Sequence, residues 1–347
     1  MLNILVTGGA GFIGSHITEY YAKKGDKVKI IDNLSRASLL GKIEAGCDNN
    51  WDYLKTHSNI KLIKGDVRDE LLLKEAIGDA DVIFHTAAQT AVTTSITNPG
   101  ADFSNNLIGS FRVLEAVRKS KKKHAIIYCS TNKVYGENIN KIDVSEEGKR
   151  YSFKNKYKQG IAEDFAIDLC SHSPYGCSKL GADLYMQEYA ELYNIKIGVF
   201  RMSCIYGTRQ FGMEDQGWLA WFIIASLTGQ PITVYGDGKQ ARDVLYVTDL
   251  IDAFDRFVNS DLKHGVFNIG GGPNNVISLL ELLDMLEQLT GNKNKVGFAN
   301  WRASDQKLYI SDISKIKKVL GWEPETEITD GIKKIVEWVK GNKNLFV

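Results

Sequence analysis

Three polar side chains in the middle of the chain have the types and the spacing of an acid–base site. Tyr175 and Lys179 stand four residues apart in YGCSK, so they share one face if this segment is helical. A lysine beside a phenol favours the phenolate, which makes the tyrosine a usable base near neutral pH. Thr131 follows the apolar run AIIY and offers a hydroxyl at the end of a predicted strand. These residues predict removal of a proton from a substrate hydroxyl that Thr131 holds.

The elements that must position these side chains alternate between short β-branched runs and longer helical patterns. The predicted strands are 3–7, 28–32, 60–64, 81–86, 125–130, 195–201 and 265–270. The predicted helices are near 12–24, 70–78, 101–120, 176–193 and 247–259. Strands that alternate with helices predict a parallel sheet covered on both faces, the doubly wound α/β fold of the Rossmann type. We therefore expect the site at the carboxyl edge of this sheet.

The domain boundaries are less clearly marked than the strands. After about residue 206 glycine-containing loops interrupt the alternation, and 273–347 has a helical period without strands of the first kind. We interpret 1–206 together with about 240–272 as the sheet domain, which would bind a dinucleotide. The segments at about 207–239 and 273–347 are then a smaller C-terminal substrate-binding cap.

Composition excludes several classes of partner. The 347 residues include 43 basic and 42 acidic side chains, so no net field would hold nucleic acid or an anionic membrane. The five cysteines show no CxxC spacing and indicate reduced thiols; they are Cys47, Cys129, Cys170, Cys177 and Cys204. LNILVTGG enters a strand without a leader pattern, and WLAWFIIASL is too short to span a bilayer. We expect a cytoplasmic protein without a metal site.

A glycine-rich turn predicts a dinucleotide site. TGGAGFIG places Gly8, Gly11 and Gly14 between a strand and a helix, where they would permit a tight turn, approach of a pyrophosphate and close helix packing. The next strand ends at Asp32, at the distance where an acid takes the adenosine ribose hydroxyls. A carboxylate there would repel a 2′-phosphate, so NAD is favoured, although Arg36 leaves room for NADP. The alternative is a purely structural glycine turn.

The acidic segment GDVRD follows the third predicted strand and has two interpretations. Asp66 could accept a hydrogen bond from the adenine amino group, or Asp69 could cap the next helix with Asp66 incidental. The remaining predicted cofactor contacts lie beside these motifs or at the catalytic helix. They are Phe12, Ile13, Asn33, Ser35, Arg36, Val67, Ala87, Ala88, Asn106, Tyr175 and Lys179.

These motifs resemble the extended short-chain dehydrogenase/reductase family of nucleotide-sugar enzymes over nearly the whole chain. Further matching segments are HTAA at 85–88, NNLIGS, RDVLYVTDL at 242–250 and LGWEPETEITDGI. The resemblance implies that Arg242 and Arg302 hold the nucleotide diphosphate, which a guanidinium can bind in bidentate fashion. The other implied substrate contacts are Thr131, Asn132, Arg201, Gln210, Gln216 and Asp305. Gln210 and Gln216 form a cluster with Asp215 and Trp218. This cluster either recognises the base or the sugar of the substrate, or is a loop anchored by its tryptophan.

Less generic segments resemble one subgroup, the CDP-paratose (CDP-tyvelose) 2-epimerases. They are STNKVYG, HSPYGCSK, RQFGMEDQGW, GKQARDVL and RASDQKLYISD, with the lengthened stretch between Gly136 and His172. In the nucleotide-sugar 4,6-dehydratases, Asp and Glu follow the catalytic threonine and eliminate water. Asn132 and Lys133 cannot perform that pair of proton transfers, so dehydration is disfavoured. Lys133 either contacts substrate or has a plain surface role.

The resemblance implies NAD-dependent epimerisation at C2 of a CDP-hexose. The reaction would convert CDP-paratose to CDP-tyvelose, or CDP-glucose to CDP-mannose, through a 2-keto sugar and hydride return to the other face. Tyr175 would be the base, Lys179 would also bond the nicotinamide ribose, and Thr131 would steady the substrate oxygen. A homodimer or homotetramer is also implied. Two rivals stay open: a UDP-sugar 4-epimerase with the same site, and a non-catalytic NAD-binding regulator, which would have a defective triad.

Overall fold

The computed structural model describes residues 1–36 and 48–346, so Cys47 lies outside the described residues. The chain divides into two compact units. The first unit is Met1–Val134, Ser173–Arg201 and Ile251–Phe267, and the second is Tyr135–His172, Met202–Leu250 and Asn268–Val347. The predicted assignment of cofactor and sugar to separate domains concerns function and stays a prediction.

All seven predicted strands are present. In chain order, the strands of the described residues are β1 (Asn3–Thr7), β2 (Lys27–Asp32), β3 (Ile60–Lys64), β4 (Val82–His85), β5 (Ala125–Thr131), β6 (Val144–Glu147), β7 (Arg150–Phe153), β8 (Lys196–Met202), β9 (Cys204–Tyr206), β10 (Ile232–Tyr235), β11 (Ala241–Tyr246), β12 (His264–Ile269), β13 (Val276–Ser278), β14 (Val296–Ala299) and β15 (Leu308–Tyr309). The seven-stranded sheet has the order β12-β8-β5-β4-β1-β2-β3. The pairs β1–β2, β1–β4, β2–β3 and β4–β5 are parallel. The predicted doubly wound α/β fold is confirmed.

The predicted helices are present, one of them divided, and the sequence did not predict the helices at Asn49–Leu54 and Val92–Thr97. They are α1 (Phe12–Lys23), α2 (Asn49–Leu54), α3 (Glu70–Ile77), α4 (Val92–Thr97), α5 (Pro99–Phe103), α6 (Gly109–Lys119), α7 (Pro174–Tyr193), α8 (Trp218–Thr228), α9 (Val247–Val258), α10 (Leu279–Thr290), α11 (Ser314–Leu320) and α12 (Ile328–Gly341). The single helix predicted near 101–120 is divided into α5, a π-helical turn at Ser104–Ile108 and α6. Such π-turns occur mainly as short insertions in helices, frequently at functional sites.

The core of the first unit explains why its central strands lack a polar alternation. All seven residues of β5 are buried, as expected for a strand covered by helices on both faces. Leu5 and Ile126 from the sheet pack with Val113 of α6 and Met186 of α7 in one apolar cluster. Burial of each large aliphatic side chain contributes about 1.5–3 kcal/mol. This packing fixes the position of α7 against β5.

The second unit contains short strands that the helical pattern of the sequence concealed. β11 pairs with β13 in antiparallel fashion and with β9 and β15 in parallel fashion. β10 pairs with β14, and β6 with β7. Because β13, β14 and β15 have only two to four residues, they offer too little alternation to be recognised. None of the helices in the described ranges combines the length and apolarity needed to cross a membrane.

Candidate active site

The first unit brings Thr131, Tyr175 and Lys179 together. Thr131 is the last residue of β5, and its hydroxyl acts on the pKa of Tyr175, which stands in the first turn of α7. One turn later, Lys179 Nζ donates to the carbonyl oxygen of Cys129 at 2.6 Å and lies 4.3 Å from the ring centroid of Tyr128. The exposed fractions of the three residues are 7%, 8% and 4%. The arrangement therefore offers a hydroxyl, a phenol and an ammonium in a site with little water.

The start of α7 fixes the phenol. Ser173 Oγ accepts a hydrogen bond from the Gly176 backbone N–H at 3.2 Å, and Pro174 occupies the first turn. A serine cap followed by proline is a strong helix start, because the side chain satisfies a free amide and the ring presets φ. Tyr175 is thus held by the helix terminus itself rather than by a loop.

Burial shifts the pKa of both residues of the YxxxK pair. It raises the pKa of Tyr175 to about 12, although the Thr131 hydroxyl acts in the opposite direction. Burial lowers the pKa of Lys179 to about 8, against the opposing effects of Cys129, Asp183 and Asp102. Tyr175 is therefore a neutral phenol at pH 7 in this structure. The predicted base role requires further stabilisation of the phenolate when the site is filled, and positive charge at Lys179 acts in that direction.

The side chain of Asn106, a predicted cofactor contact, is hydrogen-bonded to other residues of the first unit. Its Oδ1 accepts from the Gln89 backbone N–H at 2.8 Å, and its Nδ2 is directed at Gln89 O, Asp102 Oδ1 and Ser178 Oγ at 3.0, 3.0 and 3.1 Å. These bonds tie the π-turn to α7 between Tyr175 and Lys179. The sequence analysis missed Gln89, Asp102 and Ser178; the i, i+4 spacing of Asp102 and Asn106 was the available signal.

Arg201, a predicted substrate contact, is also bound within the first unit. It is 4% exposed, and its Nε and Nη2 donate to the two carboxylate oxygens of Asp183, each at 3.1 Å. Ser130 Oγ donates to Asp183 Oδ2 at 2.6 Å. The pair joins β8 to α7 and the end of β5, so these bonds give Arg201 a structural role. Its role in binding substrate stays a prediction.

The glycine turn has the close approaches that the sequence motif predicts. Gly8 has φ of +71°, and a Cβ atom there would lie 2.7 Å from the Ala87 backbone nitrogen. A Cβ atom on Gly14 would lie 2.2 Å from Gly8 O. α1 begins at Phe12, with Gly11 at the N-cap position, and has neither a side-chain cap nor an acid in its first turn. An uncapped helix start beside a glycine turn suits a pyrophosphate.

Asp32 stabilises the same turn from the end of β2. Its Oδ2 accepts from the Ala10 N–H at 2.9 Å and its Oδ1 from the Leu34 N–H at 2.8 Å. Burial raises the pKa of Asp32, against the effect of these two bonds. Each carboxylate oxygen retains acceptor capacity, so the residue fits the predicted role towards ribose hydroxyls. The cradle and the acid together fit an adenine dinucleotide.

The structure shows the helix cap expected in GDVRD, and the role of Asp66 towards adenine stays a prediction. Asp69 accepts from the backbone N–H groups of Leu71 and Leu72 and caps α3. Asp66 forms an ion pair with Arg68 at 2.6 Å and accepts from Asn33 Nδ2 at 2.9 Å. The hydrogen bonds from Arg68 are the main reason that the pKa of Asp66 falls to about 2. An adenine amino group would have to share this carboxylate.

The other predicted cofactor residues surround the turn or the core. Val67 is buried in the apolar cluster, and Phe12 packs edge-on against His16 with ring centroids 5.6 Å apart. The backbone N–H of Ser35 donates to Asn33 Oδ1 at 3.1 Å. The remainder are half-buried: Ile13, Arg36, Ala87 and Ala88.

The residues next to Thr131 lie in the helical turn that follows β5. Asn132 is 8% exposed, and its Oδ1 accepts from Thr131 Oγ1 at 3.4 Å. The backbone N–H of Lys133 donates to the same Thr131 hydroxyl at 3.3 Å. A neutral amide therefore stands where a dehydratase would need an acid.

The second unit pairs its predicted phosphate-binding arginines with acids. Arg242 Nη2 donates to Asp305 Oδ1 at 2.7 Å. Arg302 lies 3.0 Å from Asp215 Oδ1 and stacks its guanidinium 3.8 Å from the ring centroid of Tyr235. Both guanidinium groups are thus oriented by carboxylates, with which a phosphate would compete.

The polar cluster at 209–218 forms a loop before α8. Gln210 Nε2 donates to Ile205 O at 3.2 Å. Gln216 exchanges backbone hydrogen bonds with Met213, and Trp218 packs edge-on against Phe222 with ring centroids 6.0 Å apart. This contact lies within α8, so both interpretations of the cluster stay predictions.

Comparisons with known proteins identify the family. Residues 5–335 match the GDP-mannose 4,6 dehydratase family. The CDP-paratose 2-epimerase of Salmonella typhi is 38% identical over 97% of this chain and 99% of its own. The solved UDP-glucose 4-epimerase of Thermotoga maritima with UDP-glucose has a TM-score of 0.82, is 30% identical and covers 99% of this chain and 100% of its own. UDP-glucuronic acid 4-epimerase of Bacillus cereus, solved with UDP-glucuronic acid and NAD, has a TM-score of 0.81 at 28% identity, covering 98% and 99%.

The chain belongs to the GDP-mannose 4,6 dehydratase family. The predicted family of nucleotide-sugar enzymes and its fold are confirmed, as is the resemblance to CDP-paratose 2-epimerase.

Proposed function

We propose that this protein is an NAD-dependent epimerase that inverts C2 of a CDP-linked hexose. The predicted enzyme class, a nucleotide-sugar epimerase, and the predicted cofactor are in agreement with the relatives described above. The observation that carries the finer proposal is the 38% identity to a CDP-paratose 2-epimerase over 97% of the chain. The hydroxyl–phenol–ammonium set beside a neutral Asn132 supports it, because epimerisation through a keto sugar needs no acid to expel water.

The residues of the first unit would divide the chemistry as follows. NAD, when bound, supplies reversible hydride transfer. Tyr175 removes the proton from the C2 hydroxyl and later returns it to the 2-keto sugar. The Thr131 hydroxyl holds the substrate oxygen, and the positive charge of Lys179 favours the phenolate and binds ribose hydroxyls. Removal and return of hydrogen on opposite faces of C2 inverts that carbon.

The residues of the second unit would bind the nucleotide. Arg242 and Arg302 offer guanidinium groups for the diphosphate, and Asp305 and Asp215 hold them in position until a phosphate takes their place. Because exchange of one anion for another costs little desolvation, this arrangement suits reversible binding. Small pocket changes decide whether CDP-paratose or CDP-glucose is preferred.

We also propose a homodimer or homotetramer formed through the helices of the first unit. Several large apolar side chains of this region are exposed: Phe103, Leu184, Tyr185, Leu192 and Tyr193. An apolar patch of this kind marks an interaction surface. Light scattering after size-exclusion chromatography would give the mass, and a monomer at micromolar concentration would contradict the proposal.

A UDP-sugar 4-epimerase is the second candidate, favoured by the similarity to the solved 4-epimerases. The test is to incubate the purified protein, without added NAD, with CDP-glucose, CDP-paratose, UDP-glucose and UDP-glucuronic acid, and to identify products by proton NMR. We expect a manno-configured CDP-sugar. Inversion of a UDP-sugar at C4, with both CDP-sugars unchanged even after NAD is added, would establish the second candidate instead.

A further inference from the structure

Four charged side chains are buried around the first turns of α7. Lys179 and Arg201 are each 4% exposed, Asp102 is 1% exposed and Asp183 is fully buried. Arg201 and Asp183 form a bidentate pair and neutralise each other. Among the described residues, Lys179 and Asp102 are the two buried charges of this set without an ion pair.

Asp102 is linked to the catalytic turn by neutral groups. Its Oδ1 accepts from Asn106 Nδ2, and the same amide group is directed at Ser178 Oγ. Ser178 lies between Tyr175 and Lys179 and donates to the carbonyl oxygen of Tyr175 at 3.1 Å. The buried Oδ2 of Asp102 has no hydrogen-bond partner among the described residues. A buried carboxyl group with an unsatisfied oxygen is costly, so its retention calls for a reason.

We propose that Asp102 is a positioning residue of the active site, whose carboxylate balances the buried positive charge of Lys179 and, through Asn106 and Ser178, fixes the turn of α7 that bears Tyr175. This inference rests on the proposed function, because it concerns the acid–base pair of that reaction. It explains how an ammonium can be kept in a site with little water although its own hydrogen bond is to a neutral carbonyl.

The groups around Asp102 determine in which direction the pKa values of Tyr175 and Lys179 should change when its charge is removed. Burial raises the pKa of Asp102, and Ser178 and Lys179 oppose that effect. The Asp102 charge raises the pKa of Lys179, of Tyr175 and of Cys177 on α7. Cys129 on β5 and Asp183 also act on Lys179.

Tyr128 on β5 lies 4.3 Å from Lys179 Nζ and stays a neutral phenol, because burial raises its pKa. His85 on β4 is a further titratable group near Lys179. Burial lowers its pKa to about 3, so it is neutral near pH 7 and adds no charge there. Removing the negative charge of Asp102 should therefore lower the pKa values of the phenol and the ammonium together. Both limbs of a bell-shaped rate profile should move to lower pH.

The test is the pH dependence of kcat for Asp102→Asn in the full-length protein with its bound cofactor. We expect both limbs to shift to lower pH by about half a unit or more, because a nearby carboxylate is lost. Ser178→Ala breaks the same hydrogen-bond network but keeps the carboxylate, so its limbs should stay in place whatever its kcat. Asp52→Asn, an exposed carboxylate of α2, controls for the change in net charge and should leave the profile unaltered.

A lower kcat without movement of the limbs, or an equal shift in Ser178→Ala, would show a merely structural role and overturn the proposal. If Asp102→Asn does not fold, carbon NMR of the wild-type protein labelled at the lysine ε-carbon replaces it, with the Lys179 signal assigned by Lys179→Arg. We expect the chemical shift of the Lys179 ε-carbon to show two inflections against pH, one of them in the acidic range from titration of Asp102. A single inflection would contradict the proposal. This titration needs no turnover, so failure of the proposed reaction is distinguishable from failure of this inference.

Discussion

The proposed catalytic set (Thr131, Tyr175 and Lys179) of the first unit and the proposed phosphate-binding arginines (Arg242 and Arg302) of the second unit are held in different ways. Tyr175 and Lys179 are buried; the capped start of α7 holds the first, and a backbone carbonyl accepts a hydrogen bond from the second. Arg242 and Arg302 have side chains that are 14% and 24% exposed, and each pairs with a carboxylate. Neutral partners inside regular elements keep a geometry constant, whereas ion pairs at a partly exposed position can be exchanged for a ligand. If the proposed roles of these residues are correct, reaction type and ligand choice depend on separate sets of side chains.

The largest expected effect comes from breaking the catalytic set. Tyr175→Phe removes the proton acceptor and should lower kcat by about 10²–10⁴-fold, the usual contribution of general acid–base catalysis. Retained NAD and the melting temperature should stay close to those of the wild type, because only a hydroxyl is lost. Absorbance of the released cofactor and calorimetry check these controls. A variant with half of the wild-type rate would show that another group is the base.

The next largest effect concerns stability of the same unit. Asp183→Asn leaves the Arg201 charge buried without its partner and should lower the free energy of unfolding by about 3–5 kcal/mol. The matched control is Asp52→Asn, which breaks an exposed pair with Lys55 and should cost less than about 1 kcal/mol. Urea unfolding of both variants gives the comparison. Equal values for the two variants would mean that the buried pair does not hold β8 to α7.

A smaller effect is expected at the glycine turn. In Gly14→Ala the new Cβ would meet Gly8 O at 2.2 Å, so the turn must shift, at a cost of about 1–3 kcal/mol and with loss of retained NAD. Gly341→Ala, in an open position of α12, is the control and should be neutral or slightly stabilising. The measurement is the NAD content after purification. Full NAD content in Gly14→Ala would place the pyrophosphate elsewhere.

The smallest effect should come from the second unit. Arg242→Lys keeps the charge but loses the bidentate fork, so KM for the CDP-sugar should rise about tenfold with little change in kcat. Arg256→Lys, whose guanidinium pairs with Asp252 on α9, is the control and should leave KM unchanged. Steady-state kinetics of both variants decide the matter. A fall in kcat at constant KM would erase the distinction between the two sets.

The sequence predicted what depends on local spacing. Glycine spacing located the turn at Gly8, strand patterns located the seven strands of the large sheet, and the four-residue interval placed Tyr175 and Lys179 on one helix. It could not predict which partners polar groups find across the fold. Arg242 meets Asp305, and Arg201 meets Asp183, because three-dimensional packing brings those groups together.

The buried network around Asp102 shows the same limit. The sequence predicts Asn106 as a cofactor contact, but its bonds to Asp102 and Ser178 depend on a π-turn that no simple period reveals. Asn132 and Lys133 stand where the nucleotide-sugar 4,6-dehydratases have Asp and Glu, and only the resemblance to that family makes this difference visible. The residue types in the sequence therefore predict the kind of chemistry, whereas the buried charges and hydrogen bonds that support it become visible only in the structure.

The central claim is that C2 is inverted by hydride removal and return within one enzyme-bound cycle. The most direct measurement is proton NMR of the sugar during turnover of CDP-glucose or CDP-paratose in D₂O, without added NAD. The account predicts a manno-configured product that carries no deuterium at C2, because the hydrogen does not exchange with solvent. Deuterium at C2 of the product would show proton abstraction from carbon and contradict the account.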